Sequence, residues 1–313
     1  MVMALKRLKP IKKIKLTDRL NSVHETVGSK IFDVVNIILL VAIALLMLYP
    51  MYYVIILSFS SGAEVLKGGI FLYPKGFTFA NYEKVFSEKQ LLRAFVISIG
   101  RTVLGTIISV LLISMLAYGL SVKSLPGRRF LNKFFFFTTI FSGGAIPTLC
   151  LLVELGMLDN FFVYIIPAIY SFFNMLIIRT QFESIPSSLK ESAQIDGASN
   201  LRIFFTIYLP LSKSALATVA LFTAVFHWCD WYAGKYYIQT DMLKPAATVL
   251  QEMLDKAMGE MSSQYAGIGQ TIETTSSTLQ MAFVVVIMLP IMLVYPFLQK
   301  HFAKGAMIGS IKE

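Results

Sequence analysis

The chain has 313 residues, of which 56% are hydrophobic and 15% are charged, and its mean hydropathy is +0.68. Several segments approach the roughly 20 apolar residues that cross a bilayer. This composition excludes a water-soluble globular protein and predicts an all-α integral membrane protein. The formal net charge of +10 is therefore interpreted by its distribution about the membrane, and no nucleic-acid partner is expected.

A basic segment, residues 1–30, precedes the apolar part of the chain, residues 31–313. Its eight lysines and arginines suit a solvated cytoplasmic tail beside anionic lipid headgroups. The apolar part contains runs long enough for six membrane spans. These are predicted at about residues 33–57, 94–120, 134–153, 161–178, 215–232 and 279–298.

Two features inside the predicted spans leave alternatives open. Arg101 lies within the second span, where a charge is costly, so it either reaches the surface, pairs with another group or lines a pathway. Gly143 and Gly144, followed by Pro147, permit either a break in the third span or a close contact between helices.

The basic residues predict the orientation in the membrane. Segments that share one side with both termini hold 19 lysines and arginines, against 8 in the segments on the opposite side. Cytoplasmic loops carry the excess of positive charge. Both termini, and the segment 184–214 between the fourth and fifth spans, are therefore predicted to be cytoplasmic.

Residues 184–214 are polar, although long apolar runs lie on both sides of them. Ser188 and Glu191 have the spacing of a capping box, so a short helix is predicted to begin there. Gly197 predicts its end, because glycine adopts the left-handed conformation at little steric cost. A second short helix would follow and be redirected at Pro210. The pattern predicts a compact helical protrusion that docks a partner.

The chain has no phosphate-binding loop of the G-x-x-x-x-G-K-[ST] type and no paired carboxylates inside a predicted span. It is therefore expected to be no enzyme and to hydrolyse no nucleotide itself. A transport function would need energy from another subunit, and the protrusion is the expected coupling.

Within the polar segment, ESAQIDGA at residues 191–198, followed by IYLP at 207–210, resembles the EAA loop of binding-protein-dependent ABC importer permeases. The departure from the E-A-A opening is Ser192, which is also small. The resemblance implies a type I importer permease fold whose coupling helices sit in a cleft of an ATPase subunit. It assigns that coupling to Glu191, Ala193, Asp196, Gly197, Ala198, Leu209 and Pro210. Glu191 would contact the ATPase, Gly197 would form the turn, and Asp196 would brace it.

Other segments, among them LYP at 48–50 and YPFLQK at 295–300, resemble the carbohydrate-uptake branch of that family. The likeness is narrower still to oligosaccharide permeases of the lipoprotein-dependent, Firmicutes-type subgroup related to the maltose system. It implies a multi-pass protein of the bacterial cell membrane that works with a second homologous permease, two ATP-binding subunits and an extracellular solute-binding lipoprotein. This chain would hold no cofactor, because ATP and Mg would be bound by the partner ATPase subunits.

An oligosaccharide site combines aromatic faces with a few polar groups that take the hydroxyls. Both tryptophans of the chain lie near the end of the fifth predicted span. The candidate residues of the substrate path are Phe173, Asn174, Trp228, Asp230, Trp231 and Tyr232. The alternative for these residues is packing between spans or an aromatic belt at the membrane interface.

Three further alternatives stay open. The EAA loop is shared by importers of amino acids, peptides and polyamines, so the solute could differ. The chain could also be a transport-inactive scaffold or sensor that retains partner docking. In a pair of permeases, the other subunit could hold most of the sugar contacts.

Overall fold

The structure, a computed structural model, describes residues 27–260 and 275–310, and no β-strand occurs in these ranges. Most of the predicted basic segment lies outside the described residues. The α-helices are α1 (Val27–Ser58), α2 (Gly62–Lys67), α3 (Ala80–Ser87), α4 (Lys89–Ser121), α5 (Arg128–Ile140), α6 (Ala145–Glu154), α7 (Phe172–Glu183), α8 (Ser187–Ile195), α9 (Asn200–Ile203), α10 (Leu209–Leu211), α11 (Lys213–Cys229), α12 (Tyr232–Tyr237), α13 (Ala246–Glu260) and α14 (Ser276–Ser310). Short 3₁₀ turns occur at Phe161–Tyr164, Ile166–Ala168 and Asp241–Leu243, and a π-helical turn occurs at Phe204–Tyr208.

In the described residues, three helices, α1, α4 and α14, are long and apolar enough to cross a membrane without interruption. Three further pairs meet the same criteria together but are bent. The bends are 113° between α5 and α6, 54° between Phe161–Ala168 and α7, and 84° between Asn200–Leu211 and α11. Residues 27–260 and 275–310 therefore contain three clear spans, and up to six if each bent pair counts as one.

A glycine pair interrupts the third predicted span. α5 ends at Ile140 and α6 begins at Ala145, and Gly144 between them has φ 88°. Residues that carry a side chain rarely adopt a positive φ, so the break depends on glycine. Of the two predicted roles of Gly143 and Gly144, the structure contains the break.

The chain divides into two units, residues 1–53 and residues 54–313. In the first unit, α1 continues through Pro50, and residues 27–52 are exposed on all sides. A helix that is apolar all round suits a lipid surrounding.

The second unit is organised around α4, which packs against both α7 and α11. Near its C-terminal end lies a core cluster formed with α7 and the segment after α9. Its members are Ile113, Ala117, Leu120, Met175, Ile178, Phe182, Ile203, Phe204, Tyr208 and Val219. Full burial of a large apolar side chain contributes about 1.5–3 kcal/mol, so this cluster fixes the segment that follows α7.

Candidate functional site

The polar segment 184–214, called the EAA segment here, begins with α8. This helix starts at Ser187, and its N-cap residue is Pro186, with no side-chain capping bond. The capping box predicted at Ser188 and Glu191 is therefore wrong. Ser188 is already inside the helix, where its hydroxyl cannot serve as the N-cap.

Gly197 ends α8 as predicted, through a turn of the Schellman type. Its φ is 79°, and Asp196 is the C-cap residue. The Gly197 amide donates to the carbonyl of Gln194 at 3.1 Å, and the Ala198 amide donates to that of Ala193 at 2.9 Å. Ala193 and Ala198 also pack against the core cluster. Both predicted alanines thus have a defined place in the turn, where a hydrophobic contact commonly accompanies the two hydrogen bonds.

The second half of the segment is one bent helical stretch. Ser199 caps α9, because its Oγ accepts from the Arg202 amide at 3.3 Å. The π turn then leads into α10, which holds Leu209 and Pro210. The chain turns by 84° before α11, with the buried Ser212 at the corner. The redirection predicted for Pro210 and the residues after it is confirmed.

Three aromatic contacts anchor this stretch to the spans. The Tyr208 ring lies 4.8 Å from that of Tyr118 on α4 and 5.4 Å from that of Phe182 on α7. Phe204 lies 5.4 Å from Tyr118. Such aromatic pairs contribute about 0.5–1.5 kcal/mol beyond their buried area. The EAA segment is therefore packed directly against α4 and α7.

Among the described residues, nothing covers the opposite face of the EAA segment. Glu191 and Asp196 are exposed, and so are the apolar side chains Leu189, Ile195 and Leu201. Ile195 is 87% exposed, which is unusual for so large an apolar residue. Exposed apolar side chains grouped with acids mark a surface suited to a protein partner.

Glu183, at the end of α7, joins three helices next to this surface. One of its oxygens, Oε1, accepts from Arg128 Nη2 at 2.5 Å and from Arg179 Nε at 2.9 Å. Arg128 Nε also donates to the carbonyl of Leu120 on α4, and Arg179 Nη1 donates to Asn132 on α5. We call these groups the Glu183 clamp. It ties the ends of α4, α5 and α7 together. Three residues separate Glu183 from the start of α8.

At the far end of α4's packed region, Arg101 pairs with Asp230. Arg101 is fully buried, and its Nη2 donates to Asp230 Oδ2 at 2.6 Å, while Nη1 donates to the Asp230 carbonyl at 2.9 Å. The guanidinium also lies 4.4 Å from the ring centre of Tyr164. Removing one partner of a buried pair leaves an uncompensated charge and costs about 3–5 kcal/mol. Of the predicted alternatives for Arg101, the structure contains the pairing.

Asp230 also holds the start of α12. Its Oδ1 accepts from the backbone amides of Tyr232 at 3.0 Å and Ala233 at 3.4 Å. Both carboxylate oxygens are thus engaged within the chain. Asp230, which was predicted to line the substrate path, thus connects Arg101 on α4 with the start of α12.

The other predicted substrate-path residues fall into two groups. Trp228 is buried and its Nε1 donates to the carbonyl of Ile287 on α14 at 3.1 Å. Asn174 is also buried, and its Nδ2 donates to Thr223 Oγ1 at 3.4 Å. These two therefore connect spans. Phe173, by contrast, is 61% exposed.

Trp231 and Tyr232 lie in an exposed aromatic cluster that also contains Tyr236. The ring centroids are 6.0 Å apart for Trp231 and Tyr232, 6.4 Å for Trp231 and Tyr236, and 4.5 Å for Tyr232 and Tyr236. We call these three residues the aromatic cluster. Tyr236 was not among the sequence candidates, although the i, i+4 spacing from Tyr232 on one helix would have indicated it.

Lys235 supports the aromatic cluster. Its Nζ lies 5.5 Å from the ring centre of Trp231 and 5.8 Å from that of Tyr236, and it forms an ion pair of 2.6 Å with Asp255 on α13. The hydrogen bond to Asp255 raises the pKa of Lys235 above its ordinary value. The lysine therefore stays charged, as a cation–π contact requires.

Both α4 and α11 carry buried polar groups. Among the described residues, buried polar atoms without a hydrogen-bond partner include Thr102 Oγ1, Thr106 Oγ1, Ser109 Oγ and both ring nitrogens of His227. His227 faces Gly105, where an added Cβ would lie 2.4 Å from Nε2. The two helices approach this closely only because residue 105 has no side chain.

These features together define the class: a helical, multi-pass membrane protein whose spans are tied to an exposed docking segment. Residues 115–307 match the family of binding-protein-dependent transport system inner membrane components, and the chain belongs to that family. It is therefore a permease subunit, and a permease subunit of this family has no ATPase site of its own.

Two curated relatives align over nearly the whole chain. The polygalacturonan/rhamnogalacturonan transport system permease protein YtcP of Bacillus subtilis (strain 168) is 39% identical, over 91% of this chain and 99% of its own length. Protein LplC of the same organism is 37% identical, over 94% and 99%.

A solved structure is also similar. It is a bacterial ABC transporter involved in the import of the acidic polysaccharide alginate, with a TM-score of 0.80 and 32% identity, over 88% of this chain and 98% of that one. A bacterial alginate ABC transporter in complex with an alginate pentasaccharide-bound periplasmic protein shares the fold, with a TM-score of 0.56 and 14% identity, over 85% and 92%.

Proposed function

We propose that this chain is one of two permease subunits in an ATP-driven importer of oligosaccharides in the bacterial cell membrane. An extracellular solute-binding protein would deliver the sugar, and two partner subunits would bind ATP and Mg and hydrolyse the ATP. Both chain termini and the EAA segment would lie in the cytoplasm, in keeping with the distribution of basic residues.

The observation that carries this proposal is the EAA segment. Its outer face presents Glu191, Asp196 and exposed apolar side chains, while its inner face is anchored by Phe204 and Tyr208. A partner that moves the outer face therefore moves α4 and α7 with it. Closure of the ATPase subunits would switch the transport path between the two permease subunits from inward-facing to outward-facing through this rigid-body connection.

The relatives support the substrate class. YtcP is named for polygalacturonan and rhamnogalacturonan, and the similar solved transporter imports alginate. All three are polysaccharides. The exposed Trp231 and Tyr232 fit such a solute, because aromatic faces suit the apolar faces of sugar rings.

The experiment is sugar uptake by the complete transporter in proteoliposomes, measured together with ATP hydrolysis. Gly197→Pro forces φ to about −65° where the turn has 79° and removes the amide that donates to Gln194. Glu191→Ala removes a charged contact with the ATPase worth about 1.5–3 kcal/mol. This corresponds to a loss of at least tenfold in the affinity for that partner. Both variants are expected to lose about 90% of uptake or more while remaining in the membrane.

Glu83→Ala is the matched control, because Glu83 is an exposed glutamate on α3, outside the EAA segment. It should transport as the wild type does. Full uptake by both EAA variants would refute the coupling role. Wild-type uptake of amino acids, peptides or polyamines in place of oligosaccharides would refute the substrate class. If the wild-type complex took up none of these solutes when supplied with ATP, a transport-inactive scaffold would be favoured.

A further inference from the structure

All three rings of the aromatic cluster are partly open to the surroundings of the chain. Trp231 and Tyr232 are each 36% exposed, and Tyr236 is 51% exposed. The cluster follows the end of α11 at Cys229 and lies on α12, next to polar groups of α13. Its surroundings are therefore mixed, and the charged Lys235 lies beside two of the three rings.

The backbone under the cluster is held from several helices. Asp230, paired with Arg101 on α4, accepts from the amide of Tyr232. Thr248 on α13 donates its hydroxyl to the Trp231 carbonyl at 3.0 Å. Gly234 packs so closely that an added Cβ would lie 2.1 Å from Thr248 Oγ1 and 2.9 Å from Pro245.

The far end of α12 is fixed as well. The amide of Asp159 donates to the Tyr237 carbonyl at 2.9 Å, and Tyr237 itself is buried. Exposed rings on a fixed backbone lose little conformational entropy when a ligand covers them, which is the advantage of a preorganised site.

We propose that Trp231, Tyr232 and Tyr236 form a subsite that binds a pyranose ring of the imported oligosaccharide, a role that rests on the proposed transport function. The C–H groups on one face of a pyranose carry partial positive charge and are attracted to the negative faces of aromatic rings. The ligand is a sugar ring with an apolar face, as in a galactosyl or uronosyl residue. Lys235 is a positioning residue, because it contacts two of the three rings and is itself held by Asp255.

The test measures the KM for uptake by the complete transporter, with its binding protein, of oligogalacturonides, alginate oligosaccharides and galactooligosaccharides. Removing one ring by Tyr236→Ala or Trp231→Ala is expected to raise the KM about three- to tenfold. Tyr236→Phe keeps the ring face and should restore the wild-type KM. Tyr73→Ala, which removes a tyrosine 66% exposed outside the cluster, is the matched control and should leave the KM unchanged.

Two results would overturn the subsite. The first is a KM for Tyr236→Ala and Trp231→Ala equal to that of Tyr73→Ala. The second is loss of the second permease subunit during co-purification of these variants, because the cluster would then be a contact between subunits. Wild-type uptake of amino acids, peptides or polyamines in place of oligosaccharides would instead refute the proposed function, so the two failures are distinguishable.

Discussion

Gly105 lies where α4 meets α11, and its missing side chain accommodates a buried histidine. A Cβ there would lie 2.4 Å from Nε2 of His227 and 2.7 Å from two of its ring carbons. His227 is fully buried, so its ring has little space into which it could move. The sequence alone does not reveal this contact, because the two residues are far apart in the chain.

We expect Gly105→Ala to destabilise the protein by about 1–3 kcal/mol, the usual cost of overpacking. The measurement is the thermal unfolding of the detergent-solubilised protein. Gly119→Ala is the matched control, because Gly119 lies on the same helix and an added Cβ would have no atom within 4 Å. Adding His227→Ala should recover part of the loss, and a Gly105→Ala variant as stable as the control would contradict the packing argument.

Asp159 is a second residue whose role depends on its conformation. It has φ 54° and accepts from the Thr240 hydroxyl at 2.5 Å, and from the amides of Thr240 at 2.8 Å and Gln239 at 3.1 Å. The Thr240 hydroxyl, followed by these amides, holds the pKa of the Asp159 carboxyl below its ordinary value. The carboxylate therefore links the loop before Phe161 to the segment after α12.

A lowered pKa in the folded state means that the ionised carboxyl stabilises the fold. That contribution is fully present above the unfolded pKa of about 3.9 and is lost as the pH falls through the lower folded pKa. We expect the difference in melting temperature between wild type and Asp159→Asn to be constant from about pH 5 to 8 and to shrink below about pH 4. Thr240→Val should weaken this dependence, and a gap that persists unchanged at the lowest pH would contradict it.

At the scale of helices, the Glu183 clamp adds α5 to the two helices, α4 and α7, that the EAA segment already contacts through Tyr208. The two arginines that share Glu183 come from α5 and α7, and Arg128 reaches the end of α4 as well. Only Ser184–Pro186 separate α7 from α8. We therefore expect a displacement of α8 to shift Glu183 and its two arginines.

Glu183→Gln should therefore lower the number of sugar molecules imported per ATP hydrolysed, by about threefold or more. It removes two partly exposed ion pairs, each worth up to about 1 kcal/mol, and leaves two guanidinium groups facing each other. Uptake and hydrolysis are measured in the same proteoliposomes, with Glu154→Gln as control, because Glu154 is exposed at the end of α6. An unchanged ratio would exclude the clamp from transmission.

The boundaries of these elements were predicted unevenly. The glycine turn at 197 followed from local backbone chemistry, whereas the break at Gly144 was one of two alternatives that the sequence left open. The start of α8 was predicted at the wrong residue. A capping box requires the serine to be the last residue outside the helix, and Pro186 occupies that position. The π turn at Phe204–Tyr208 leaves no mark in the hydrophobic pattern.

For the whole molecule, composition and hydropathy were enough for an all-helical membrane protein with six apolar segments. They did not distinguish three continuous spans from three bent ones, because an average over a window contains no information about direction. The orientation of the termini remains a prediction from the basic residues. Pairs such as Arg101 with Asp230, and Lys235 with Asp255, required the three-dimensional structure, since 129 and 20 residues separate their members.

The π turn at Phe204–Tyr208 lies inside the EAA segment, between α9 and α10, and it has a consequence for the evolution of the chain. A π turn accommodates one residue more than an α-helical turn. Losing that residue would restore regular winding and rotate α9, on the N-terminal side of the turn, by about 100° about the helix axis relative to α10. The direction in which the docking surface points therefore depends on the number of residues between Ile203 and Leu209 as much as on the chemistry of its side chains. Insertions or deletions in that stretch would change the binding partner more readily than substitutions would.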